Sequence, residues 1–213
     1  MELYFAPLAC SMASRITLYE IGAKVDYIQV NTRTKKIHDG RDFLAVNPLG
    51  MVPALRLNDG SVLLENAAVL QYLADRFPEA GLAPESGSPE RYQLQQWLNF
   101  ITTELHKAIY VPLLDRNAPA EMKAYVRSKL ETRHEYLAKH LTGRTTLLDR
   151  FSVADIYLFT VLNWGRAMAV DLNEWPAIRA FYDRMRERPA AARALGEELE
   201  LYTAEQTQMS KVN

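Results

Sequence analysis

This chain of 213 residues lacks most of the features that give a function away through composition. It has a single cysteine, Cys10. No internal disulfide can form, a zinc site built on cysteine pairs is excluded, and a reducing, cytoplasmic environment is expected. Excess charge is lacking too: 25 Lys and Arg stand against 26 Asp and Glu, a net charge of −1, so no overall field draws the protein to nucleic acid or to an anionic membrane. The longest nearly apolar run, Ile156 to Leu162, is far too short to cross a bilayer. The N-terminus has no basic region ahead of an apolar one, so no export is expected. Long repeats and low-complexity tracts are missing. What is present, 48% hydrophobic and 24% charged residues, suits a soluble globular protein with one large core or two small ones.

The lone cysteine lies in the most informative stretch. Glu2 to Phe5 reads as a short strand with two β-favouring aromatics, broken by Ala6-Pro7-Leu8-Ala9. Ser11 reads as the N-cap of a helix that ends at Gly22. The thiol therefore sits at a helix N-terminus, where the partial positive charge favours thiolate over thiol and would also receive an anion from a ligand. A small buried hydrophobe is the alternative use of such a residue.

Val25 to Val30 reads as a second strand and Asn31 to Asp42 as a polar, basic loop. Lys35 and Lys36 stand there side by side and, taken alone, read as solvated charges. A helical turn around Phe43, Leu44 and Val46 leads to the turn Asn47-Pro48-Leu49-Gly50. Pro53, after β-branched Val52 at the start of a strand, is a candidate cis proline that would leave the Val52 N–H and C=O free to pair with an extended peptide. Leu55 to Leu57 and Ser61 to Leu64 flank the hairpin turn Asn58-Asp59-Gly60. Glu65-Asn66 then opens a helix with Ala67, Leu70, Leu73, Ala74 and Phe77 on one stripe. Asn66 as its N-cap would make a second anion site, and Glu65 could hold an ammonium group.

Residues 1–77 thus form one domain and residues 78–88, rich in Pro, Gly and Ser, a linker. Residues 89–201 show only helical signals. A long helix runs from Ser88-Pro89 to about Val111, with a second, mostly polar stripe of Tyr92, Gln96, Asn99, Thr103, His106 and Tyr110 that is either a wet face or a ligand wall. Ala120 to Leu141 is a further helix. Ser152-Val153-Ala154-Asp155 is a capping-box signature ahead of an all-apolar helix that must be buried. Another helix starts at Asn173 and Pro176, a short one follows from Ala190 to Leu199, and the polar tail 202–213 is expected to fray.

Ala9-Cys10-Ser11, Arg33-Thr34-Lys35-Lys36, Asn47-Pro48-x-Gly50-x-Val52-Pro53, Gln71-Tyr72-Leu73-Ala74-Asp75, Trp97-Leu98-Asn99-Phe100, Glu104-Leu105-His106-Lys107 and Ser152-Val153-Ala154-Asp155 are each weak alone. In this order they resemble the cytosolic glutathione S-transferases, most closely the bacterial beta class, over roughly residues 1 to 200. The resemblance implies an N-terminal thioredoxin-like domain, an α/β unit that binds glutathione, followed by an all-helical domain. It implies a small hydrophobic electrophile as second substrate, no further cofactor or metal, and a homodimer. Val52, beside Pro53, would pair with the cysteinyl unit of glutathione. Glu65 and Asn66 would take the γ-glutamyl end, Lys35 the glycyl carboxylate. Asn99, Thr103, Glu104 and His106 would wall the thiol side. Cys10, next to Ala9, would touch the glutathione sulfur and be able to form a mixed disulfide, with Ser11 and His106 donating hydrogen bonds that favour a thiolate. Pro7, Leu8, Tyr110 and Trp164 would border the second-substrate pocket. The same residues admit a thiol-disulfide oxidoreductase or reductive dehalogenase acting through Cys10, or a non-catalytic binding protein. Two departures stand out: Asn66 replaces the usual Ser or Gly, and Met51 the usual Gln.

Overall fold

The first strand, β1 (Glu2–Phe5), leads through α1 (Ser11–Glu20) to β2 (Asp26–Asn31), which lies parallel to it. β3 (Lys36–Ile37), β4 (Ala54–Arg56) and β5 (Val62–Leu64) complete a mixed sheet in the order β3-β2-β1-β4-β5, with every pairing except β1–β2 antiparallel. Successive β1 side chains face opposite ways, as the period of a strand requires. Leu3 and Phe5 pack with Leu18, Val69 and Leu73 of the helices, whereas Tyr4 joins Val30, Ile37, Phe43 and Val52 on the other side. Two residues of the stretch read as loop, Lys36 and Ile37, therefore pair with β2, because Ile37 supplies a buried side chain to that second core.

The structure is a computed structural model that describes residues 1–210. It divides into two units: Met1–Ala80 with the segment from Arg188 onward, and Gly81–Glu187. The first contains α2 (Asn66–Arg76) and α8 (Pro189–Ser210) besides the sheet. This departs from the sequence reading, which gave the C-terminal segment to the helical domain and expected residues 202–213 to fray. The helix instead continues to Ser210, and residues 211–213 lie outside the described part. Its Ala191, Ala194 and Glu198 are buried and it packs on α1.

The second unit holds α3 (Pro89–Phe100), a π-helical stretch (Ile101–Tyr110), α4 (Val111–Leu114), α5 (Ala120–Leu141), α6 (Val153–Asn163) and α7 (Pro176–Glu187). Ser88 caps α3 by accepting the Arg91 N–H at 3.2 Å, with proline in the first turn. The π stretch alters the expected polar stripe. Its i→i+5 hydrogen bonds widen the turn, so a 3.6-residue spacing no longer tracks one face: Tyr92, Gln96, Asn99 and Thr103 are exposed, but His106 and Tyr110 are buried. α6 is buried from Val153 to Leu162, as its all-apolar sequence demands. No helix among the described residues is long and apolar enough to cross a membrane.

Candidate active site

Cys10 occupies the N-cap position of α1, one residue earlier than the sequence placed the cap, and is partly exposed. Ser11 is the first helical residue and does not cap. Its hydroxyl is wholly buried and meets both polar atoms of the Ala6 backbone, accepting from the N–H at 3.2 Å and donating to the carbonyl at 3.3 Å. Its observed role is to close the Ala6–Ser11 loop that presents the thiol. The Cys10 sulfur donates to the Val52 carbonyl at 3.1 Å, next to a Val52–Pro53 peptide that is cis. Cys10 and Val52, each expected to meet glutathione, are thus brought into direct contact.

Asn66 is the first residue of α2 and not its cap; Glu65 holds the cap position without a side-chain hydrogen bond. The buried Asn66 amide reaches back to α1, donating to the Cys10 carbonyl at 3.2 Å and accepting from the Ser14 hydroxyl at 2.9 Å. This explains the departure at this position: the larger side chain ties the starts of the two helices together. The leading N–H groups of α2 lack intrahelical acceptors and suit a carboxylate, and Glu65 is exposed beside them.

Lys35 and Lys36 part company. Lys36 is exposed on β3, but Lys35 is half-buried, and its ammonium donates to the Gly50 carbonyl at 2.9 Å. Gly50 has φ +60°, and a Cβ there would lie 2.6 Å from Lys35 Cδ, so only glycine lets the lysine stem cross. Asn47, read from sequence only as part of a turn, organises this loop: buried, it donates to the Met51 carbonyl at 2.8 Å and accepts from the Leu49 N–H at 3.1 Å. Met51 itself is exposed. Non-glycine residues with positive φ are Leu8, Lys35, Glu65 and Ala169 among the described residues. Three of the four flank the cysteine, the cationic arm and the α2 terminus, the kind of clustering that unusual backbone shows at functional sites.

The Leu8 conformation has a further support absent from the sequence reading. Its N–H donates to Glu198 of α8 at 2.7 Å, and Arg15 of α1 lies 3.8 Å from the same carboxylate. Burial outweighs these contacts and pushes the Glu198 carboxyl up to about 8. Its folded value lies above the ordinary one of about 4.3, so the folded protein holds an extra proton between roughly pH 4.5 and 8, and this group's contribution to stability falls as pH rises through that window. Glu198→Gln is expected to flatten the fall in thermal midpoint between pH 5 and 8; an unchanged profile in melts across that range would refute the assignment.

The remaining predicted residues belong to the second unit. Asn99 and Thr103 are exposed and bond within their own helix, to the Gln95 and Asn99 carbonyls. Glu104 pairs with Arg133 at 2.7 Å. His106 is buried, with Nδ1 at 2.6 Å from the Tyr157 hydroxyl and the Trp164 ring 4.9 Å away. Burial, assisted by the charge of Lys107, pushes it down to about 4, so it is neutral at pH 7. Tyr110, expected to line a pocket, is instead an interior residue: it has no exposed surface, and its hydroxyl meets His134 at 3.2 Å. Trp164 is 8% exposed. Pro7 is buried and Leu8 partly exposed. No group of three or more His, Cys, Asp or Glu suited to a metal ion occurs among the described residues.

Models of the glutathione S-transferase N-terminal and C-terminal domains match residues 9–76 and 100–189. A glutathione S-transferase of Escherichia coli O157:H7, GstA, is 43% identical over 199 residues, covering 93% of this chain and 98% of the relative. The structure of a sphingomonad glutathione S-transferase complexed with glutathione superposes with a TM-score of 0.89 at 42% identity, covering 93% of this chain and 98% of that one. A bacterial beta class glutathione S-transferase of Sphingomonas chungbukensis gives 0.89 at 41% identity over the same shares. With both domains matched in order across an N-terminal mixed sheet and a helical unit, the chain belongs to the glutathione S-transferase family, in its bacterial beta class.

Proposed function

We propose that this glutathione transferase binds the tripeptide across the start of α1 and presents its thiolate to small electrophiles, with Cys10 able to bond covalently to the glutathione sulfur. The observation that carries this reading is the Cys10 sulfur at 3.1 Å from the Val52 carbonyl, which joins a reactive atom to a main-chain acceptor suited to an extended peptide. In that contact sulfur is the donor and keeps its proton. A ligand amide that takes the same carbonyl competes for it and frees the thiol to ionise under the influence of the helix terminus. Lys35 reaches the glycyl carboxylate, and the first N–H groups of α2, with Glu65, take the γ-glutamyl carboxylate and amine. From the family motif we further assign His106, neutral at pH 7, the part of a hydrogen-bond donor that favours the thiolate, and Asn99, Thr103 and Glu104 a part in glutathione binding. Calorimetry tests the reading directly: heat of association with reduced or oxidised glutathione is expected, and none at millimolar ligand would overturn it.

The thiol supports a second reaction in the same site. A Cys10 thiolate attacks the glutathione sulfur of a mixed disulfide between glutathione and a second thiol, the S–S bond breaks, and the second thiol leaves as thiolate. A glutathione thiolate then attacks the glutathione sulfur bound to Cys10, which releases oxidised glutathione and regenerates the Cys10 thiolate.

Gly50→Ala is expected to raise KM for glutathione about tenfold by displacing the Lys35 ammonium, the loss of roughly one charge-assisted hydrogen bond, with a smaller change in kcat. Steady-state kinetics at varied glutathione decides it; an unchanged KM removes Lys35 from the site. The protein is proposed to work in the cytoplasm as a homodimer. Leu49 and Met51, 66% and 53% exposed beside Val52, supply apolar surface for a second copy. Light scattering giving a mass near 24.3 kDa would refute that.

A further inference from the structure

α1 begins without the local lock that helices commonly carry. Its N-cap, Cys10, makes no side-chain hydrogen bond to the first turn, its sulfur being turned to the Val52 carbonyl, and a helix start without such a bond is less firmly held. The lock comes from α2. Asn66, 6% exposed, places its amide nitrogen 3.2 Å from the Cys10 carbonyl and its amide oxygen 2.9 Å from the Ser14 hydroxyl. A carbonyl can only accept, so the NH2 end faces Cys10, and the oxygen end then requires Ser14 to donate. Ser14 is wholly buried, so its hydroxyl has no bulk water to turn to instead. The Cys10 carbonyl also accepts the Ala13 N–H at 3.1 Å, which completes the two bonds a carbonyl oxygen can take. At residue 66 a serine would be one bond shorter and an aspartate would bring no donor; asparagine supplies both the reach and the N–H.

We propose that Asn66 is a positioning residue for the thiol: its amide, oriented by Ser14, holds the Cys10 peptide at the start of α1, so that the sulfur stays at the helix terminus when a ligand amide takes the Val52 carbonyl from it. Of the two anchors on Cys10 the sulfur's own bond is the weaker, since a thiol is a poor donor, and it is the one that the proposed glutathione pose removes. The anchor on the main chain remains. The helix field that favours a thiolate falls off within one turn, so a Cys10 released at both ends would lose it. The residue that opens α2, where the γ-glutamyl carboxylate is proposed to bind, therefore also sets the place of the thiol. This rests on the proposed reaction of Cys10 with glutathione, and the test separates the two.

The hydrogen bond is read first in the parent protein. Nitrogen NMR, with the Asn66 side-chain amide assigned through the residue 66 backbone, is expected to show an amide proton protected from solvent exchange. Exchange as fast as that of exposed asparagine side chains would overturn the proposal whether or not any variant folds. Adduct formation tests the consequence. A Cys10 thiolate attacks one sulfur of oxidised glutathione, the S–S bond breaks and one glutathione leaves as thiolate; mass spectrometry follows the Cys10 adduct against pH at saturating oxidised glutathione. Asn66→Ser is expected to slow this step about tenfold at pH 7, the scale of one lost hydrogen bond, and to move its pH midpoint up by about one unit. Ser14→Ala, which removes only the group that orients the amide, is expected to move the midpoint the same way by less, and to add almost nothing in the Asn66→Ser background. A merely structural role would reduce the fraction of active protein and leave the midpoint in place, and that result overturns the proposal. If the parent forms no adduct at any pH, while its Asn66 amide is protected and alkylation of Cys10 by iodoacetamide shows the same shift in the variants, it is the glutathione reading of Cys10 that fails.

Discussion

Cys10→Ala is expected to abolish reduction of mixed disulfides by glutathione, by at least about a thousandfold, while conjugation of glutathione to a chloronitrobenzene continues within about tenfold of the parent rate. The first loss is complete in principle, because the exchange needs a protein sulfur to form and release the mixed disulfide and the chain has no second cysteine. Conjugation uses the sulfur of the co-substrate. The groups expected to hold that co-substrate, Val52, Lys35 and the start of α2, are fixed by contacts that do not include the Cys10 side chain, apart from its hydrogen bond to Val52. Paired assays of the two reactions, with mass spectrometry for a glutathione adduct on the parent protein, decide the matter. If both activities fall together, Cys10 is the obligatory nucleophile of a single mechanism. If neither falls, the thiol is only a small side chain in a loop.

The largest loss of stability is expected at Asp155. Its carboxylate accepts from the Ser152 N–H at 2.9 Å, the Ser152 hydroxyl at 3.0 Å and the Leu147 N–H at 2.8 Å, and the residue has no exposed surface. Burial pushes it up to about 6, so it remains mainly ionised at neutral pH, sustained by those three donors. Asp155→Ala removes the acceptor and leaves two backbone N–H groups unpaired in the interior at the start of α6, whose other side chains fill the core of the second unit. The cost is about 3 kcal/mol or more, comparable to a large part of a domain's net stability. Denaturant unfolding should show the midpoint lowered at unchanged slope. Asp155→Asn keeps one acceptor and should lose roughly half as much. A loss below about 1 kcal/mol for the alanine variant would mean that α6 does not depend on its cap.

Much of this protein was legible in the chain alone, wherever the governing physics is local. The alternation in Glu2–Phe5, the Asn58-Asp59-Gly60 hairpin, the proline after Val52 and the capping signature at Ser152–Asp155 each need only a few neighbouring residues, and each appears where the sequence puts it. Family motifs spread along the chain likewise named the residues of the candidate site. Their roles were less legible. Ser11 and Asn66 both look like caps, because Ser and Asn beside a helix start usually are. Each instead bonds to backbone outside its own helix: Ser11 to Ala6 in the loop after β1, Asn66 to the start of α1. Lys35 and Lys36 are alike as letters and differ only because Gly50 lets one stem cross it. Glu198 had a weak signal, its shared stripe with Ala191 and Ala194, but nothing in the sequence said that this stripe faces Leu8 and Arg15.

The sequence by itself determined most of the elements and the two-part order and singled out Cys10 as the candidate thiol, because propensity, periodicity and turn chemistry act over one or two turns of chain. Only the tertiary structure decided which side chains support others and which are buried. The Leu8 N–H on Glu198, the Cys10 sulfur on Val52 and the His106 ring on Tyr157 join residues 42 to 190 positions apart. Such contacts arise when burial brings polar groups together and each must find a partner away from water.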